Sequence, residues 1–199
     1  MRKVLLLLFA FVTFTFANIL QETIDNALPY STIKLPSGIY SGNIVINKPL
    51  TILGKESDVI IQGDKTGKVV TINSSHVTLK NLTISGSGNQ MTRLDSGIQI
   101  NKASHCEVSD CNITDSLYGI DMVMVNNSII SNNIITSKKN DISLRGDALK
   151  IWYSNNNIIR NNTIAYARDV TLSYSNNNLI ENNTFLHNRF AIHLSLSNQ

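Results

Sequence analysis

The chain has 199 residues, 42% of them hydrophobic, with 17 basic and 14 acidic side chains. That length suits one domain or part of a larger protein, and that apolar content excludes a disordered chain. With Arg2 and Lys3 set aside as part of a leader, 15 basic residues stand against 14 acidic ones. A nucleic-acid binder would need a basic face for the phosphates, and this balance argues against one.

The first 17 residues, MRKVLLLLFAFVTFTFA, run from two basic residues through an apolar stretch to small residues at Thr15 and Ala17. This pattern predicts a secretory signal, with a single exported domain over residues 18–199. Next, QETIDNAL (Gln21 to Leu28) places Ile24, Ala27 and Leu28 near helical spacing ahead of Pro29. A short helix there would cap the open end of a stacked fold. IKLPSGIY, NIVINKPLTILG and DVIIQG then read as first strands, punctuated by Gly and Pro. All three prolines lie at or before Pro49 and leave the later repeats uninterrupted.

Asparagine and isoleucine dominate, with 26 of each, and they recur in order. The unit is an aliphatic residue, Asn or Asp two later, and an apolar residue five later. It occurs as Leu79-Asn81-Ile84, Val108-Asp110-Ile113, Ile130-Asn132-Ile135, Ile159-Asn161-Ile164 and Ile180-Asn182-Phe185, at intervals of 29, 22, 29 and 21 residues. Three residues before each unit stand His76, His105, Asn127, Asn156 and Asn177. After each unit, one apolar column runs Ile98, Ile120, Leu149, Val170, Ile192 and another runs Ile100, Met122, Ile151, Leu172, Leu194. Between them lie Gln99, Asp121, Lys150, Thr171 and His193, facing outward.

Alternation with period two means short strands buried on one face, and repeats of 20 to 30 residues mean stacked rungs sharing one core. The predicted fold is all-β, a right-handed single-stranded parallel β-helix. Asparagine suits its corners because it tolerates left-handed dihedrals and can bond from rung to rung. A leucine-rich repeat shares the period, but return segments such as SGIQI and YGIDM alternate like strands. Ser197-Asn198-Gln199 falls where Ser175-Asn176-Asn177 opens a unit, so the chain is expected to stop within a repeat and its full product to continue.

The two 29-residue intervals carry extra segments, SGSGNQMTRLDS and TSKKNDISLRGD, at the same corner and two rungs apart. Loops on one edge of a solenoid commonly form its binding face. Gln90, Met91, Arg93, Lys138, Lys139 and Arg145 are the exposed candidates there, with Trp152 added as the one tryptophan. Nucleophile motifs, phosphate loops and established metal spacings are absent. Asp141, Arg145, Asp147, Lys150, Arg168, Asp169 and Arg189 could furnish acid–base chemistry of the kind β-helix enzymes apply to acidic polysaccharides. They scatter over several columns and read better as a solvated charged face. Copper(I) favours sulfur and imidazole. On that chemistry His187 at a corner, His193 in the outward column and Met124 are the metal candidates. Cys106 and Cys111, spaced C-x4-C, are expected to be buried free thiols.

RGDALKIWYS, ARDVTLSYS and NRFAIHL, on successive rungs, are similar to the NosD family, periplasmic maturation proteins of nitrous oxide reductase. The resemblance extends from about Asn18 to the end and takes in the NKPLTILG and DVIIQG strands. It implies a non-enzymatic periplasmic protein that works with the ATPase and permease subunits of an ABC-type transporter. It also implies the apo-reductase and a copper chaperone as partners, with copper held transiently during assembly of the copper–sulfide centre. After Ile192-His193 the family tends to have an aromatic residue and a methionine, whereas this chain has Leu194-Ser195-Leu196. The rival expectation is a carbohydrate-active β-helix, a lyase or an epimerase.

Overall fold

The computed structural model describes residues 19–197; the predicted leader lies outside them. Three parallel sheets of seven strands run the length of the molecule, each rung adding one strand to each sheet. The first contains Thr32–Leu35, Thr51–Gly54, Thr78–Lys80, Glu107–Ser109, Ile129–Ser131, Ile158–Arg160 and Leu179–Glu181. The second contains Gly38–Ser41, Val59–Gln62, Thr83–Ser85, Asn112–Ser116, Ile134–Ser137, Thr163–Ala165 and Thr184–Leu186. The third contains Ile44–Ile46, Val70–Ile72, Ser96–Asn101, Tyr118–Val123, Leu149–Trp152, Val170–Ser173 and His193–Ser195. The result is a right-handed parallel β-helix.

The registers follow the sequence columns. Leu79, Val108, Ile130, Ile159 and Ile180 pair in succession in the first sheet. Ile84, Ile113, Ile135, Ile164 and Phe185 do so in the second. In the third, Ile98, Ile120, Leu149 and Val170 align, beside Ile100, Met122, Ile151, Leu172 and Leu194. Most of these side chains are fully buried in one aliphatic core. Strands of three to six residues cannot persist alone, so each rung depends on burial shared with its neighbours.

The predicted N-terminal helix is present but shifted, spanning Ile19–Asn26. Leu20 and Ile24, one turn apart, are its buried face, whereas Leu28 lies beyond its end and is 78% exposed. Gln21 explains how the helix covers the first rung. Its side-chain amide donates to the Val45 carbonyl at 3.0 Å and accepts from the Val45 N–H at 2.7 Å. It thereby takes the place of a missing strand at the edge. Lys48 Nζ donates to the carbonyls of Asp25 and Ala27, meeting the free carbonyls at the helix end.

Each corner divides the labour between adjacent residues. Asn81, Asp110, Asn132, Asn161 and Asn182 all have φ between 54° and 57°. His76, His105, Asn127, Asn156 and Asn177 are left-handed as well, a conformation to which Asn, Asp and His are better suited than most residues. The following residue points inward. Asn162 Oδ1 accepts the backbone N–H of Asn133 at 2.9 Å, while its Nδ2 donates to Ile130 O and Asn183 Oδ1. Asn157 does the same for Ser128, Val125 and Asn178. These buried amides satisfy corner backbone that no sheet reaches. The two columns should therefore respond differently to mutation. Asn162→Ala leaves a buried N–H without its acceptor and should cost about 3 kcal/mol. Asn161→Gly keeps the left-handed turn and should stay within about 1 kcal/mol of the parent. Urea unfolding monitored by circular dichroism checks both.

Candidate functional site

The outward column of the third sheet runs Gln99, Asp121, Lys150, Thr171 and His193 in register. It is not the solvated face that alternation alone suggests. Asp121 is 0% exposed; its Oδ2 accepts from Gln99 Nε2 at 2.9 Å, and Lys150 Nζ lies 3.7 Å from Oδ1. Lys150 also sits over the Trp152 ring, 4.6 Å from its centroid. Rungs stack at about 4.8 Å, so long side chains on neighbouring rungs cover a short carboxylate between them.

Beside this column, the Asp147 carboxyl is pushed up by burial, with Asp169 adding to the effect and a 2.9 Å bond from Thr171 Oγ1 opposing it. Burial also raises the Tyr118 phenol, and the charge on Asp147 raises it further. Asp169, likewise buried, takes both oxygens to the Arg189 guanidinium and accepts the Phe190 N–H. The signal for the Asp121 contacts was present in the repeat: an acid stacked between the amide of Gln99 and Lys150 in one column.

The predicted surface residues separate into three places. Gln90, Met91 and Arg93 belong to the first insertion, around the short helical turn Met91–Arg93. That loop is tied down where Asp95 accepts the Gln90 N–H and Lys68 Nζ meets the Arg93 carbonyl. Lys138, Lys139 and Arg145, from the second insertion, line one cavity of about 660 Å³ together with Thr114, Asp115, Thr136, Ser137 and Tyr166. Lys138 is not the exposed residue expected, being 7% exposed and ion-paired to Asp115 at 3.2 Å. Trp152, 40% exposed, lies at the end of a third-sheet strand next to a ridge in which Tyr153 and Tyr174 stack at 4.8 Å.

The metal candidates occupy different positions. Met124 is a left-handed residue at the corner after the third sheet, 47% exposed. His187 turns the corner after the second sheet and stacks on Tyr166 at 4.9 Å. His193 is on the outer face of the third sheet, edge-on to Phe190. Among the described residues, no three His, Cys, Asp or Glu side chains converge.

Cys106 and Cys111 are buried and unbonded. Both occupy the inward corner position filled by Asn or Ser in later rungs: the Cys106 N–H meets Ser128 Oγ, and the Cys111 N–H meets Asn133 Oδ1. Strand Glu107–Ser109 lies between them. At about 3.3 Å per residue it holds their Cα atoms farther apart than the roughly 7 Å a disulfide spans. Burial pushes the Cys111 thiol up to about 12 and raises Cys106 as well. Both are therefore thiols at neutral pH, not the thiolates that bind soft metals.

Stacked parallel rungs with inward asparagine corners define the right-handed β-helix class. Residues 67–199 match the family described as right handed beta helix region, and the chain belongs to that family. A curated relative, a probable ABC transporter binding protein NosD of Pseudomonas aeruginosa, is 27% identical over 137 residues. The match takes in 68% of this chain and 32% of that protein, so the chain spans about a third of the relative's length. Among solved structures, the A-module of mannuronan C-5 epimerase AlgE6 from Azotobacter vinelandii superposes with a TM-score of 0.69 at 17% identity, over 84% of this chain and 51% of that one. Pectin methylesterase from Yersinia enterocolitica gives 0.55 at 13% identity, over 83% and 66%. At such identities these likenesses concern the fold alone.

Two measurements test this description. Neither cysteine should react with a thiol reagent at pH 8 in the native protein, and both should react once it is unfolded in guanidinium; native labelling of Cys111 would refute its burial. For Asp147 the folded pKa is raised, so the unfolded chain ionises first as pH rises. Its contribution to stability is therefore largest below the ordinary carboxyl value of 3.8 and falls as pH climbs through the folded pKa. Asp147→Asn should remove that fall and leave the variant relatively more stable at pH 7 than at pH 3.5, as compared by denaturant unfolding.

Proposed function

We propose that this chain is part of an exported, non-enzymatic accessory protein of the NosD kind. It acts in the periplasm beside the ATPase and permease subunits of an ABC-type transporter, in the maturation of nitrous oxide reductase. The observation that carries this reading is the 27% identity, over 137 residues, to the probable ABC transporter binding protein NosD. Copper is cargo in this scheme, passed from a copper chaperone towards the apo-reductase. It touches this chain transiently through the exposed imidazoles of His187 and His193, because the thiols are protonated and enclosed. The ridge of Trp152, Tyr153 and Tyr174 supplies surface for a protein partner, with Met124 at its side.

A carbohydrate-active reading has one observation in its favour. Asp147, an acid of raised pKa, lies close to Tyr118 and Lys150 on the outer face of the third sheet. Cleavage or epimerisation of a uronate polymer that disappears in Asp147→Asn would establish it in place of the first reading.

In a strain lacking the gene, the reductase should accumulate without its copper–sulfide centre, and the full-length gene should restore it. A reductase carrying its full copper complement in the deletion strain would reject the proposal. Copper(I) titrated under reducing conditions should bind weakly to the purified protein, and the binding should be lost in the His187→Ala, His193→Ala double variant.

A further inference from the structure

The corner leading into the first sheet holds histidine on two adjacent rungs where later rungs hold asparagine. His76, His105, Asn127, Asn156 and Asn177 all turn left-handed there, and φ is 58° at His76 and 55° at His105. The two rungs are in register, Thr78 pairing with Glu107. Matching backbone angles therefore launch the two side chains side by side, one rung apart. Both imidazoles are exposed, and their rings stack with centroids 5.0 Å apart and planes 8° from parallel. His187 and His193 stand singly in other columns, beside Tyr166 and Thr171.

Asparagine satisfies such a turn by itself, so the imidazoles add something the fold does not require. They add ring nitrogens, and one of these is already oriented. His105 Nδ1 lies 3.1 Å from Ser104 Oγ. Ser104 is fixed in turn, its N–H donating to Ser75 Oγ at 2.9 Å and the two hydroxyls standing 3.2 Å apart. With Nδ1–H donating to Ser104 Oγ, the lone pair of His105 Nε2 is free. A hydrogen bond at one ring nitrogen that sets the tautomer and aims the other is the usual surrounding of a metal-bound histidine. The Tyr30 ring, tilted at 52° and 6.2 Å from His76, flanks the pair on its other side.

We infer that His76 and His105 together hold one divalent ion of the zinc or nickel kind through their Nε2 atoms. Bonds of about 2.0–2.1 Å at a tetrahedral ion place two nitrogens about 3.3 Å apart. From a centroid spacing of 5.0 Å, each ring reaches that by leaning about 1 Å at its tip. Neutral imidazole suits these ions, whereas calcium and magnesium take oxygen ligands. Rings standing side by side offer neighbouring corners of a tetrahedron or octahedron, not the opposed pair of a linear copper(I) ion. The site is therefore distinct from the copper contacts at His187 and His193, and its test does not depend on the maturation role. Two ligands from the chain leave the remaining positions to water or to donors of another molecule, so the ion exchanges.

Zinc chloride titrated calorimetrically into the untagged full chain should bind as a single ion with a Kd of about 10 μM, because two ligands supply about half the binding free energy of a four-ligand structural site. Nickel(II), which is paramagnetic, should broaden the amide NMR signals around His76 and His105 first. His76→Asn and His105→Asn install the side chain that the column carries in later rungs, and each should abolish the binding while circular dichroism reports an intact fold. Ser104→Ala, which frees the His105 ring, should weaken binding about tenfold. The His187→Ala, His193→Ala double variant should bind zinc as tightly as the parent. Zinc binding undiminished in the His76→Asn, His105→Asn double variant, or absent from the parent up to about 1 mM, would overturn the inference. So would binding that disappears with His187 and His193, or nickel broadening centred on another face.

Discussion

Parallel pairing of each strand with its equivalent one turn later governs this molecule. Every residue's nearest non-local neighbours are the residues of its own column, so side-chain choice is made column by column. An aliphatic column repeats comfortably. A corner is harder, because the chain must turn sharply and bury backbone that lies between sheets. The left-handed residue makes the turn, and the inward residue behind it brings a polar group into an apolar core. That is tolerable only because Asn133, Asn162 and Asn183 form a continuous ladder in which each amide both donates and accepts. Breaking one member leaves partners unsatisfied on two rungs.

The ladder also accounts for the cysteines. Earlier rungs fill the same inward positions with Val77 and Leu82, both buried, and later rungs use Ser or Asn. Cys106 and Cys111 stand at the junction. A thiol is small and apolar enough to follow the aliphatic pair and polar enough to reach a carbonyl, as Cys111 Sγ does with Ser109 O at 3.2 Å. Their five-residue separation is the distance between two successive corners of one rung, which is why it matches no redox or zinc spacing.

Columns and their register were legible in the sequence because period-two alternation and a repeating Asn mark are one-dimensional signals. The division between turning and inward asparagines was not, since Asn161 and Asn162 carry the same side chain and differ only in φ and direction. Alternation also separates inward from outward positions without saying what covers an outward one. Asp121 was correctly placed outside the core, yet Lys150 and Gln99 from other rungs cover it, and Asp169, read as part of a solvated face, is buried. Leu28 shows the converse error: helical spacing continued past the point where the helix ends. The corner cavity was legible in part: the second insertion marked Lys138, Lys139 and Arg145, whereas Thr114, Asp115 and Tyr166 reach it from neighbouring rungs.

Insertions at a corner disturb the fold little. On either side of the 137–147 loop, Ile135 still pairs with Ile113 and Ile164, and Leu149 still pairs with Ile120 and Val170. A longer connection adds only a slowly growing closure entropy, whereas a residue added within a strand would shift an entire column to the opposite face. Variation is thus channelled to the corners and outer faces, where it alters chemistry without altering the stack. That is the physical reason an epimerase module and a pectin methylesterase share this scaffold at 17% and 13% identity. Function in such a protein must therefore be sought in what interrupts the repeat, and here a cavity of about 660 Å³ lies beside one of the two places where the repeat is interrupted.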